Sequence, residues 1–322
     1  MVKINKYYSA IFNFLVKTND IKEKNRLLQK AWNYIFFKST KNYSGAVSTI
    51  IHGYKALMNN GYSYPIYSRR FENYNNPLIQ LVSTSNKYLD RKIVIVDVGS
   101  AIGDTNLLLI RNLPDAIHKF YCVEGNIEFF KYLEENMKIF NNSELFNNLL
   151  SDEDDRLINN LEKTHLGTAS SIGVKKINSI TLDTLLLQTK PELVDILKID
   201  VDGFDGKVLK GSLQLISKFK PTIIFEWHPI MLKNTNNDYK EPFEILIKQG
   251  YNKFLWFNKY GEFSHYCSNY IYDGAEFINN LCLRNIHDWD FHYDIISIHK
   301  DSKINIFELA EMQIAKRIKS RY

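Results

Sequence analysis

Acidic side chains stand where predicted strands end. Asp97 closes the apolar run IVIVD, Glu124 closes KFYCVE and Asp200 closes LVDILKID. A turn containing Gly99, Ser100 and Gly103 follows the first of these and delivers Asp104. Glycine in such a turn lets a ligand come close to the backbone. Strand, glycine turn, helix, strand and terminal acid together describe half of a nucleotide-binding α/β domain. Charge selects the nucleotide. A dinucleotide sets its pyrophosphate against uncrowded helix-terminal amides, and the carboxylates of Asp97, Asp104 and Glu124 would repel it. They suit S-adenosylmethionine, which carries a sulfonium and an ammonium, has no phosphate, and offers ribose hydroxyls to an acceptor such as Glu124. The donor-binding set read this way is Asp97, Gly99, Ser100, Gly103, Asp104, Glu124, Gly125 and Asn126, with Ser151, Asp152 and Asp200 at neighbouring strand ends.

A methyl group on a sulfonium is transferred by in-line displacement, so the protein must chiefly align oxygen, carbon and sulfur. An unactivated hydroxyl also needs a positioned base. The strand TIIFEW presents Glu226 and then His228, an imidazole whose ordinary pKa of about 6.5 suits proton removal. The expected catalytic residues are His228, Asp200 and Glu226, with Asp200 orienting the ring or serving as the base itself. Asp200, Asp202 and Glu226 also carry oxygen ligands of the kind a hard cation takes. No metal is expected there.

The elements that position these groups follow from periodicity. Ile4, Tyr8, Ile11, Phe12 and Leu15 share one helical face, and Leu27, Leu28, Ala31, Trp32 and Ile35 another, which predicts mostly helix from Val2 to about Asn60. The stretch from Tyr62 to Asn76 is aromatic, polar and punctuated by Pro65, so it reads as a loop, with Pro77 opening the next helix. Residues 1–85 are thus expected to form a helical extension or cap, and residues 86–322 the α/β domain. Within that domain SELFNNLLSD reads as a third strand ending at Ser151 and Asp152. Asp183 reads as the cap of a helix, and NKYGEF as a hairpin-like turn. A terminal helix is expected from Ile304 to Ile318. A last strand, YDIISIHK, arrives after a turn and a helix and can insert antiparallel, giving a mixed sheet.

Composition bounds the class. With 45% hydrophobic and 24% charged residues the 322-residue chain is ordinary for a soluble protein. No apolar run approaches the roughly 18 residues a membrane span needs, and polar residues interrupt AIFNFLV, so neither a span nor a secretory signal is expected. Cys122, Cys267 and Cys282 lack metal or disulfide spacing and suit a cytoplasmic setting. Residues 1–90 hold 13 Lys or Arg against 4 Asp or Glu. That asymmetry fits either an anionic partner or a solvated helical face.

VDVGSAIGDT, CVEGN, INSITLDTL, ILKIDVDGFDGKVLKGS and PTIIFEWH occur in an order and spacing that resembles the FkbM-type family of S-adenosylmethionine-dependent methyltransferases, over about residues 92–230. The resemblance implies a class I methyltransferase (Rossmann-like) fold, with a seven-stranded mixed sheet of order 3-2-1-4-5-7-6 and helices on both faces. It also implies O-methylation, often of sugar or polyketide hydroxyls. By position, Asp97, Gly99 and Gly103 resemble the methionine-binding turn, Glu124 the ribose acceptor, and Asp200 and Asp202 the acidic motif beside donor and acceptor. Ala101 stands where the family often has Asn, and Asp202 and Asp205 where it often has Glu. The chain has no Pro-Pro, as amino methyltransferases of the D/N-P-P-Y type require, and no Pro-Cys, as cytosine C5 methylation requires. The expected acceptor is a hydroxyl of a saccharide or of a glycosylated or lipid-linked precursor. A nucleic-acid ribose methyltransferase and a non-catalytic donor-binding scaffold are the alternatives. Nucleic acid is disfavoured, since basic residues alone give only non-specific affinity. The sequence leaves oligomeric state undetermined.

Overall fold

A computed structural model describes residues 2–22, 25–163, 169–170, 173–268, 271–284 and 291–311. The chain opens with α1 (Lys6–Lys22) and α2 (Arg26–Asn42), packed on each other, with the Trp32 indole donating to the Leu15 carbonyl at 3.0 Å. The expected helix does not run on to Asn60. Strands β1 (Ala46–Ile51) and β2 (Tyr54–Asn59) form an antiparallel hairpin instead. His52 and Gly53 form its tip at φ 50° and 86°. Two consecutive positive-φ residues give the mirror-image turn whose twist matches paired strands. Then come α3 (Tyr64–Arg70), where a loop was expected, and α4 (Asn76–Leu89), begun at Pro77 as predicted.

The central run folds as β3 (Ile93–Val98), buried at every position. It is followed by α5 (Asp104–Asn112), β4 (Ile117–Val123), α6 (Ile127–Asn136) and β5 (Ser143–Phe146). That third strand stops at Phe146 rather than Asp152, and the side-chain amide of Asn147 turns back to the Glu124 carbonyl at 2.8 Å. Short strands β6 (Leu157–Asn159), β7 (Glu162–Lys163), β8 (Ala169–Ser170) and β9 (Lys176–Asn178) form two small ribbons outside the sheet. Next are α7 (Leu182–Thr189), β10 (Ile196–Ile199), α8 (Asp205–Lys210), α9 (Leu213–Phe219) and β11 (Thr222–Trp227). Thr181, not Asp183, caps α7. The Asp183 carboxylate accepts instead from the amides of Gln214 and Leu215 at 2.8 Å each, at the start of α9. The remainder holds α10 (Pro229–Asn234), α11 (Glu241–Lys248), β12 (Tyr251–Asn258), β13 (Phe263–Cys267), α12 (Ile271–Arg284) and β14 (Tyr293–His299). A helix follows over 306–311, and the rest of the expected terminal helix lies outside the described residues.

The main sheet has eight strands in the order β13-β12-β14-β11-β10-β3-β4-β5. β3, β4, β5, β10 and β11 are mutually parallel, while β14 enters antiparallel between β11 and β12. The expected seven-strand order is therefore present. The eighth strand is β13, the return arm of the turn read at Asn258–Phe263. Helices cover both faces, over one apolar cluster around Leu197, Phe225 and Trp227 and another around Ile95, Phe120 and Leu255. The N-terminal segment joins the domain through a third cluster, in which Phe12, Val47 and Met58 pack with Ile102, Leu107 and Phe129. No helix among the described residues is long and apolar enough to cross a membrane.

Candidate active site

Parallel strands bring their carboxyl ends to one edge, and an antiparallel strand brings its amino end there. In open α/β sheets ligands bind at this edge. Here it holds a cleft of about 540 Å³, bounded by the turn after β3, the ends of β4 and β10, residues 148–150 after β5, the start of β14, and a wall from the N-terminal segment. The size suits one small-molecule site.

Its floor is a buried charge cluster. Lys198 lies beside Asp97 in the β10–β3 register, its ammonium 3.0 Å from Asp97 Oδ1 and 3.5 Å from Asp200 Oδ2. Burial lowers the affinity of this ammonium for its proton, but Asp97, Asp200 and Asp104 outweigh it and hold the pKa above its ordinary value. The second Asp97 oxygen is buried and accepts no hydrogen bond from the described residues. Ser100 donates to the Asp97 carbonyl at 2.7 Å, and Gly103 packs on Leu133 and Met137. Asp97, Ser100 and Gly103 thus shape the turn from behind, while Gly99, Ala101 and Asp104 face the cleft. Ala101 sits at φ 45°, a left-handed conformation in which Asn is more at ease.

Glu124 is held at both oxygens. Oε2 accepts from the Ala101 amide at 2.8 Å and Oε1 from the Asn126 amide at 2.6 Å. Each oxygen retains a second acceptor direction for a diol. Burial pushes its pKa up to about 8, against the pull of the two amides. Asn126 itself caps α6, accepting from Glu128 and Phe129, so its contribution to the site is backbone, whereas Gly125 lines the cleft. Asp104, raised to about 6 by burial, accepts the Tyr62 hydroxyl and the Thr105 amide.

Two nominated donor contacts fall elsewhere. Because β5 ends at Phe146, residues 148–150 occupy the place expected of Ser151 and Asp152. The Asp152 carboxylate is bound by Lys210 at 3.1 Å and Arg156 at 2.7 Å, and against the upward push of burial Lys210, Ser151 and Lys207 keep its pKa below the ordinary carboxylate value.

On the acceptor side the cleft is lined by Asp200, Asp202, Glu226, His292 and Asp294. His228 is not among them. It is 1% exposed, its Nδ1 accepts from the Met231 amide at 3.4 Å as the cap of α10, and its ring stacks on His292 with centroids 5.4 Å apart. The chain turns into α10 directly after β11, which carries His228 behind the cleft. His292, reached from the opposite strand, stands in front, with Nε2 3.7 Å from Glu226 Oε1. Glu226 and Asp294 are direct partners across the β11–β14 ladder. Burial, with Asp200, Asp202, Asp205 and Asp294 nearby, drives the Glu226 pKa well up, while burial raises Asp294 to about 6. Sequence reasoning missed Lys198, His292, Asp294 and the tyrosines of the wall. The visible clue was Lys198 itself, since a lysine inside a fully apolar strand needs buried partners. Among the described residues no group of His, Cys, Asp and Glu is arranged to hold a metal ion.

This sheet order, with an acid closing the second strand and a glycine turn closing the first, defines the class I S-adenosylmethionine-dependent methyltransferases. Residues 97–253 match the methyltransferase FkbM domain. No curated protein matches the sequence. Among solved structures, a methyltransferase FkbM from Methylobacillus flagellatus KT is 14% identical, over 51% of this chain and 40% of that one, with a TM-score of 0.38. An O-methyltransferase from Bacillus cereus in complex with SAH is 14% identical over 70% and 80%, at 0.39. A precorrin-6y C5,15-methyltransferase from Geobacter metallireducens GS-15 is 12% identical over 68% and 86%, at 0.35. The chain thus spans less than half the length of the first of these relatives.

A ribose diol held by Glu124 would make donor affinity pH-dependent through its raised pKa. Ribose hydroxyls donate, so binding favours the ionised carboxylate and releases a proton. Affinity for S-adenosylhomocysteine is expected to rise between pH 6 and about 8, by up to about tenfold per unit. Glu124→Gln is expected to flatten that slope and to weaken binding by about 1.5–3 kcal/mol, the scale of a hydrogen bond to a charged group. Calorimetric titration across this range checks both. A pH-independent affinity that the substitution leaves unchanged would remove Glu124 from the donor site.

Proposed function

We propose that the protein transfers a methyl group from S-adenosylmethionine to a hydroxyl of a saccharide, or of a glycosylated or lipid-linked precursor. Bound in the cleft, the donor supplies an activated methyl group on a cationic sulfur. The residues fit it: Gly99 exposes backbone, Glu124 offers a fixed diol acceptor, and the acids around the cleft favour a cation. On this reading Glu124 holds the ribose, Asp104 and the Asp97–Lys198 pair order the methionine end, and Asp200 faces the reacting centre.

The observation that carries the acceptor class is the Glu226–Asp294 pair beneath an aromatic wall. Tyr64, Tyr67 and Tyr74 line the cleft, with the Tyr74 ring 5.7 Å from Tyr64 and 6.1 Å from Tyr67. Ring faces match the CH faces of a sugar. Burial keeps the Tyr64 and Tyr74 hydroxyls protonated as donors. Of the two paired acids, Asp294, raised by burial to about 6, is the one ionised at neutral pH and serves as the general base, while burial pushes the Glu226 pKa well up and His292 stands beside it. A lining of this sign opposes a polyphosphate acceptor and weighs against the nucleic-acid alternative. Cys122, Cys267 and Cys282, which form no disulfide among the described residues, fit a cytoplasmic enzyme.

Methyl-13C donor incubated with a panel of mono- and oligosaccharides, free and lipid-linked, tests the reading. A labelled methyl ether in the product is the expected result. Label on nitrogen or carbon, or none on any hydroxyl acceptor while donor binding is intact, would overturn the acceptor class.

A further inference from the structure

We propose that α2 is a docking element for an anionic lipid surface. Its inward face is made by Trp32 and Ser39, which are buried, with Phe36 stacked on Trp32 at 5.1 Å. Its outward face carries large apolar residues interleaved with basic ones. Leu27 is 74% exposed, Tyr34 62% and Phe37 59%, with Leu28 and Ile35 exposed beside them. Single exposed apolar residues need no explanation, but a run along one helix marks an interaction surface.

Charge identifies the occupant. The helix RLLQKAWNYIFFKSTKN carries Arg26, Lys30, Lys38 and Lys41 and no acid. A second copy docked on the same face would set these bases against their equivalents. Residues 312–322 of this chain are no better matched, since their charges are Lys316, Arg317, Lys319 and Arg321. A polynucleotide would satisfy the bases but leave Leu27, Leu28 and Ile35 without apolar partners. An anionic bilayer satisfies both: apolar side chains enter the headgroup boundary while basic ones reach up to phosphates. Lys38 illustrates that reach, its stem running along the helix and its ammonium 3.2 Å from the Tyr34 hydroxyl.

The helix is joined to the site. The Asn60 side-chain amide donates to Ser39 Oγ at 2.9 Å and to the Tyr43 carbonyl at 2.9 Å. Two residues later, Tyr62 donates to Asp104 in the cleft. A docked α2 would therefore lie on the segment that walls the active site. The inference goes beyond the methyltransferase reading and holds whatever the acceptor.

The test is cosedimentation of the full chain with vesicles of neutral phosphatidylcholine alone or with roughly 30 mol% phosphatidylglycerol. Binding to the anionic vesicles is expected to exceed binding to neutral ones by at least about tenfold and to fall with added salt. Two double variants, Leu27→Asp with Tyr34→Asp and Lys30→Glu with Lys38→Glu, should each lower it by about tenfold or more. Far-UV dichroism and titration with S-adenosylhomocysteine report whether each variant is folded. Equal binding to both vesicle types would overturn the proposal, as would folded variants that bind like wild type. So would dimerisation or RNA binding abolished by these substitutions without vesicle binding.

Discussion

Asp294→Asn is expected to slow the chemical step by about 10²- to 10⁴-fold, the range of general-base effects, with donor affinity nearly unchanged. Asp294 and Glu226 are partners in register on β14 and β11, and burial raises the pKa of each. Environments that push two acids apart assign their roles. Burial, with Asp200, Asp202, Asp205 and Asp294 nearby, pushes the Glu226 pKa well up. Asp294, raised by burial to about 6, is ionised at neutral pH yet still basic enough to take a hydroxyl proton. The sign follows: below about 6 Asp294 is protonated and inactive, so the wild-type single-turnover rate should climb with pH through that value or somewhat below it. A bound sulfonium moves the midpoint down, because a nearby cation favours the carboxylate. The Asn variant should lose the climb as well as the rate. A variant with wild-type single-turnover rate and an unchanged acid limb would exclude Asp294 as the base.

Gly99→Ala should cost roughly 2–5 kcal/mol of stability and most donor binding, because it combines a left-handed strain with overpacking in a rigid core. Gly99 lies at φ 78°, and an added Cβ would overlap the Asp200 carbonyl oxygen, with the Val201 side chain 3.2 Å away. That carbonyl belongs to the end of the neighbouring strand, so relief requires parting β3 from β10 where the cleft begins. Gly53 supplies the control. Its φ is 86°, but its Cβ would meet nothing closer than the Arg111 side chain at 3.7 Å. Gly53→Ala should therefore show only the conformational cost, about 1–2 kcal/mol. Urea denaturation of both variants measures the difference, and equal losses would mean that the close approach at Gly99 is unimportant.

What could be read in the sequence was whatever a buried parallel strand dictates. β3, β4, β10 and β11 are mostly apolar and largely buried, and their ends fix which side chain meets the cleft, so Gly99, Glu124, Asp200 and Glu226 were legible. The sheet order came only from the resemblance to a family, because periodicity says nothing about which strands pair. The hairpin at Ala46–Asn59 was missed because AVSTII and YKALMN fit a helical face about as well as a strand. Only His52-Gly53, a turn pair less familiar than Asn-Gly, separates the two patterns. The histidine was misplaced for a related reason. Period-two reasoning ends with the strand, and His228 lies one residue beyond it, where the start of α10 turns it inward. His292 and Asp294 enter from an antiparallel strand read only as apolar, whose amino end nothing local assigns to the active edge.

Calorimetric titration of the full chain with S-adenosylmethionine, and with NAD as the control, tests the donor site most directly. Saturable binding of S-adenosylmethionine at one site per chain, weakened by Glu124→Gln, is expected, with no measurable binding of NAD. Heat from NAD with none from S-adenosylmethionine would contradict it.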